Sequence, residues 1–239
     1  MALATPTALH LSGILALIGA ALFALGDVLL LAPHVGPANP VAVNALDLSA
    51  YPALQRRADR WRVLAGMPWW RLAAGGLVGV FAAPLTLAGI WQVYQGLQPA
   101  GPWLAVPPTL LFTYATAIGP FIHGSFIYLG TTVQTIKTLE EPQRTATIQV
   151  LLHQQTVLLI AYAVLFVCAI SASVWFTVAV LSDRTSFPVW LAVFNPVTLT
   201  LLWLASKRIL PKPVTDWTEG AGFNIAYLLF FALTTVSLW

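Results

Sequence analysis

The sequence predicts an all-α integral membrane protein, one domain over residues 1–239 folded as a bundle of six transmembrane helices. Three observations predict it. Of 239 residues, 59% are hydrophobic and 8% are charged, against roughly a quarter charged in a soluble domain. The mean hydropathy of +0.82 suits a chain whose solvent is lipid. The apolar residues also fall into six long runs, each close to the roughly 20 residues that a helix needs to cross a hydrocarbon core about 30 Å thick.

The first run extends from about Leu9 to Ala32. No basic residue precedes it and its apolar stretch is longer than that of a secretion signal, so it reads as a retained helix. The others are Arg71–Gln95, Trp103–Thr131, Val150–Leu181, Pro188–Ser206 and Gly220–Trp239. Barrel strands are excluded, because they alternate in polarity and are much shorter.

Basic residues orient the bundle. With both termini outside the cytoplasm, the internal connections carry Arg56, Arg57, Arg60, Arg62, Arg71, Lys137, Arg144, Lys207, Arg208 and Lys212, and the external ones carry only Arg184. Ten against one satisfies the positive-inside rule. Trp69, Trp70, Trp103, Trp190, Trp217 and Trp239 fall near span ends, as an aromatic belt requires. The long first connection contains an amphipathic stretch, about 46–70, expected to lie on the inner leaflet. There Arg56, Arg57, Arg60 and Arg62 would meet anionic headgroups of membrane lipids, while Leu54, Trp61, Val63 and Leu64 dip inward.

Composition excludes several function classes. The net charge is only +3 and the basic residues are topological, so nucleic acid is not a partner. Cys168, the single cysteine, sits in an apolar run and reads as a small buried hydrophobe. No Cys/His spacing calls for a metal, no sequence feature names a cofactor, and no ring of charges suggests an ion channel.

Polar groups inside spans are costly, and function is sought among them. Asp27 is the one acidic residue embedded in an apolar run, and His123 the one histidine well inside a span. They are the candidate acid/base pair. Tyr128, His153, Asn195 and Asn224 are the candidate ligand contacts. Counting along the helices puts Asp27, His123, His153 and Asn224 in the cytoplasmic half, with Asn195 farther out. Each has a plainer reading: snorkelling for Asp27, a wet helix start for His153, interhelical hydrogen bonding for the amides. Pro120 lies three residues before His123 and deprives the Thr116 carbonyl of its helical donor. Spans two and five share P-x-T-L-x-x-x-W, at Pro84–Trp91 and Pro196–Trp203. They are the middle helices of each half, which suggests a weak 3+3 inverted repeat.

Gly26–Asp27, Arg60–Trp61–Arg62, Ala83–Pro84, His123–Gly124, Phe194–Asn195–Pro196, Gly222–Phe223–Asn224 and Leu228–Leu229–Phe230–Phe231 together resemble a family of six-helix bacterial membrane proteins of unknown function. The resemblance spans nearly the whole chain. It implies a bacterial inner-membrane location and adds weight to Asp27, His123, Asn195 and Asn224, and it brings no activity with it.

Three functions remain open at this point. One is a site that binds a lipid or isoprenoid-like molecule and acts on it by acid/base chemistry, His123 moving a proton while Asp27 orients it. The second is a small proton- or solute-coupled transporter, which with so few helices calls for a homodimer. The third is a membrane scaffold whose polar groups only join helices.

Overall fold

The computed structural model describes residues 5–32, 52–55 and 58–239. Among the described residues there is no strand. The helices are α1 (Pro6–Leu31), α2 (Pro52–Gln55), α3 (Ala58–Gly66), α4 (Trp69–Leu97), α5 (Pro102–Ile136), α6 (Gln143–Leu181), α7 (Pro196–Ser206), α8 (Lys212–Trp217) and α9 (Gly222–Ser237). Four of them, α1, α4 with its 3-10 extension to Ala100, α5 and α6, are long and apolar enough to cross a membrane. Helices α7 and α9 are apolar but shorter, at 11 and 16 residues.

Local chemistry sets these boundaries. Thr5 caps α1 by accepting from the Ala8 amide at 3.3 Å, and Pro6 occupies the first helical position. Gly101, at φ 93°, turns the chain between the Gln98–Ala100 3-10 turn and α5. That conformation is open to glycine at no steric cost.

The expected fifth run, Pro188–Ser206, is not one helix. It is a 3-10 turn over Val189–Val193 followed by α7. Pro196 starts the helix, because a proline ring fits the first turn and breaks a later one. Asn195 caps it, accepting from the Thr198 amide at 3.0 Å while donating to Thr177 Oγ1 on α6 at 3.1 Å. Pro84 instead lies inside a continuous α4. The shared P-x-T-L-x-x-x-W pattern therefore corresponds to two different local structures.

The backbone contacts run in a ring: α6 on α5, α5 on α4, α4 on α1, α1 on α9, α9 on α7 and α7 back on α6. Small residues bring α1 and α4 together. Gly19 faces Thr86, and Gly89 faces Ala16 and Phe231, with no room for a Cβ at either glycine. Two apolar clusters fill the ring. One holds Leu30, Leu72, Phe126, Leu129, Val133 and Leu151 near α3. The other holds Phe112, Phe176, Phe187, Leu191, Phe230 and Phe231 toward the opposite end. Large apolar side chains also cover the outside, among them Phe81, Leu110, Val167 and Leu201. So much exposed apolar surface is what a lipid solvent selects. Trp69, Trp70, Trp103, Trp190, Trp217 and Trp239 are all more than half exposed at or near helix ends, where indole rings meet the membrane surface.

The segment expected at the inner leaflet is used differently. Leu54, Trp61 and Leu64 are buried against α5 and α6 rather than turned toward acyl chains, and Val63 packs with them. Trp61 Nε1 donates to the Leu54 carbonyl at 3.1 Å. Gln134 and Lys137 near the end of α5 donate to the carbonyls of Leu64, Met67 and Ala65, which close the C-terminal turn of α3. Carbonyls at a helix C-terminus lack the next turn's donors, and these side chains supply them. Arg60 is half-buried. Arg56, Arg57 and the Arg62 side chain lie outside the described residues, as does the stretch from 46 to 51.

Candidate functional site

The site is built where α1 ends. Arg71 of α4 is buried, and its guanidinium donates to the carbonyls of Val28, Leu29 and Ala32. Counted on the sequence as a topological charge, it serves as the C-terminal cap of α1. A cation suits that end of a helix by charge as well. One turn back from this capped end is Asp27, 8% exposed.

His123 reaches the same point from α5 and is 4% exposed. Its ring lies against Gly79 of α4 and Gly26 of α1, and a Cβ at either glycine would press on ring atoms. Phe23 covers it from α1, with ring centroids 5.2 Å apart. Nε2 stands 3.6 Å from Asp27 Oδ1. Nδ1 is buried with no hydrogen-bond partner of ordinary geometry, facing the α4 backbone around Gly75 and Gly79. From the first turn of α9, Asn224 Nδ2 donates to Asp27 Oδ2 at 2.6 Å.

Asp27, His123 and Asn224 therefore converge from three helices. They line one cavity of about 110 Å³ whose walls come from α1, α4, α5, α6 and α9 and the loop residue Gly220. The cavity sits between the two apolar clusters. Its remaining lining includes Thr86, Thr116, Ile122, Tyr162, Phe166 and Tyr227. Pro120 leaves the Thr116 carbonyl without its helical donor on this side of α5.

Three other candidates do not join them. Tyr128 is 68% exposed, because five residues along α5 from His123 turn it to the outside. His153 is exposed on α6. Asn195 is buried, but it serves as the α7 cap and borders a separate cavity with Ser173 and Thr177. Asp27, His123 and His153 do not assemble as metal ligands, and no group of three metal-type side chains comes together among the described residues.

Sequence reasoning missed Tyr227. It is 5% exposed, lines the cavity, and its hydroxyl has no hydrogen-bond partner. The signal was present: Asn224 and Tyr227 are three apart in one helix and so share a face. A second polar cluster, farther along α1 and α9, was also missed. There Gln92 donates to the Leu9 carbonyl and accepts from Thr235 Oγ1, both at 3.2 Å. Every polar end of Gln92 is satisfied, as in a structural tie between α1, α4 and α9.

Chemically, the Asp27–His123 pair can hold one proton in either of two ways, carboxylate with imidazolium or carboxylic acid with imidazole. Both are neutral overall. Asn224 fixes the far carboxyl oxygen in either state. Closure from 3.6 Å to hydrogen-bond distance is a small movement, and such contacts commonly tighten only when a ligand is present.

Residues 7–239 match the model of a family described as a family of unknown function (DUF6796). The resemblance read from the residues is thus borne out. No curated protein and no solved structure matches the chain.

Proposed function

The chain belongs to this family of unknown function, and we propose that it is a multi-pass protein of the bacterial inner membrane that binds a lipid or isoprenoid-like small molecule at Asp27, His123 and Asn224 and moves a proton at it. The observation that carries the proposal is the meeting of those three groups in one cavity with apolar walls. Polar side chains that only joined helices would satisfy one another fully. Here the hydroxyl of Tyr227, a residue of the cavity lining, has no hydrogen-bond partner.

The protein crosses the membrane six times. Helices α1, α4, α5 and α6 make four crossings. The 3-10 turn with α7 makes the fifth, at about 27 Å from five residues near 2 Å and eleven near 1.5 Å each. Helix α9 at about 24 Å, with its flanking turns, makes the sixth. An irregular fifth crossing is tolerated because Asn195 satisfies the freed backbone within the protein. With both termini external, the site lies in the cytoplasmic half. A reporter active only in the cytoplasm gives strong signal when fused within Lys207–Lys212 and none when fused after Trp239. The reverse pattern overturns the orientation.

The ligand reading is tested by extracting the purified protein and identifying bound amphiphiles by mass spectrometry. Asp27→Asn keeps an acceptor for Asn224 and His123→Gln keeps a donor and an acceptor, so both variants fold. Both lose the co-purifying molecule by tenfold or more. Loss of the folded protein in both variants assigns the cluster to structure, and full retention of ligand in both removes it from the site.

A further inference from the structure

Five aromatic residues line the cavity together with Asp27: Phe23 of α1, Tyr162 and Phe166 of α6, and Phe223 and Tyr227 of α9. Among the described residues, no lysine or arginine lines it. Arg71, the basic group of α4, is engaged with the end of α1. Arg60 of α3 reaches Asp27 by its charge and does not line the cavity. The groups facing Asp27 are His123 from α5 and Asn224 from α9, with the Tyr227 and Tyr162 hydroxyls as the other titratable groups of the lining.

A carboxyl group in a cavity lined by aromatic rings is complementary to an organic cation. The carboxylate supplies the counter-charge, and a ring face turned to the cation adds cation–π attraction. A neutral lipid headgroup would gain nothing from the carboxylate's charge, and an anionic one would be repelled. The size agrees. A cavity of about 110 Å³ holds roughly four waters at the ~30 Å³ each takes in the liquid, about the bulk of a small ammonium head.

Resting on the reading of Asp27, His123 and Asn224 as a ligand site, we infer that the ligand is a lipophilic amine or quaternary ammonium, and that it enters in exchange for the proton held by the Asp27–His123 pair. The empty pair is neutral with one proton between Oδ1 and Nε2. When the cation binds, Asp27 is its carboxylate partner, His123 is neutral imidazole, and the proton leaves to water. Charge balances: one cation enters and one proton departs.

The test uses the full chain in detergent, with choline as the cation and 3,3-dimethyl-1-butanol as its uncharged isostere. Calorimetry measures binding, and a weakly buffered solution with a pH indicator counts protons between pH 5 and 8, where histidine changes charge. Choline binds at least tenfold more tightly than the isostere and releases one proton per molecule bound somewhere within that range. Asp27→Asn abolishes both effects. Phe223→Leu keeps the charge but removes a ring face, and it weakens choline several-fold while leaving the isostere unaffected. Equal binding of choline and the isostere, both weakened by Asp27→Asn, overturns the cation while leaving the site reading intact. Choline binding without proton release overturns the exchange. Binding of neither probe, together with loss of the co-purifying amphiphile's dependence on Asp27, overturns the site reading as well.

Discussion

Arg71→Met lowers stability by about 3–5 kcal/mol, the largest loss expected from any single polar substitution in this chain. The carbonyls of Leu29 and Ala32 lose this donor at once, and Arg71 is buried, so water does not readily replace it. Each orphaned buried acceptor costs about 1–3 kcal/mol. At about 2–4 °C per kcal/mol for a chain of this length, the melting temperature falls by roughly 10 °C. Arg71→Lys recovers only part of this, because one ammonium keeps the charge at the helix end but cannot span the same set of carbonyls. The measurement is a thermal melt in detergent, followed by tryptophan fluorescence. A fall of less than about 1 kcal/mol in Arg71→Met would deny the capping role.

Gly79→Ala is the second large effect, and its contrast with Gly124→Ala makes it diagnostic. Both positions are helical, and in a helix alanine is favoured over glycine by roughly 0.5–1 kcal/mol. At Gly124 the new methyl meets only Val80 Cγ2 at 3.8 Å, an ordinary contact. That variant is neutral to slightly stabilised. At Gly79 the methyl presses into the His123 ring, which is itself wedged against Gly26. Overpacking of this kind costs about 1–3 kcal/mol, and here it also displaces the imidazole that stands beside Asp27. Ligand binding should fall with stability in Gly79→Ala and persist in Gly124→Ala. Equal behaviour of the two variants would show that the ring has room to move.

Hydropathy made the long helices legible, because four runs with no charge in their middle admit no other structure. The break at Phe194–Asn195 was written in the sequence too, as a cap residue followed by proline. A continuous apolar run outweighed that local signal. Position along each helix was legible by counting, and direction around it was not. Asp27, His123 and Asn224 share a depth and a cavity, whereas His153, counted to the same half, looks outward. Once His123 is known to face inward, the period of 3.6 residues sends Tyr128 outward. Arg71 was hidden by its type. A basic residue at a span boundary reads as topology until its buried partners are seen.

The ties between α1 and α9 bear on how the bundle deforms. Asn224 holds Asp27 near one end of the pair. His10 stacks on Trp239 at the other, with centroids 4.2 Å apart, and Gln92 links Leu9 and Thr235 between α1 and the end of α9. Fixed at points about 25 Å apart along α1, the two helices resist sliding and rolling and behave mechanically as one strut. Helices α6 and α9 meet in another way. Their backbones scarcely approach, and edge-on rings, Phe166 with Phe223 and Phe176 with Phe230, bridge the distance. Ring contacts yield by rotation of a side chain, on a far shorter timescale than the parting of packed helices. The compliance of the bundle is therefore concentrated along the α6–α9 seam, the wall of the cavity that carries Tyr162, Phe166 and Phe223.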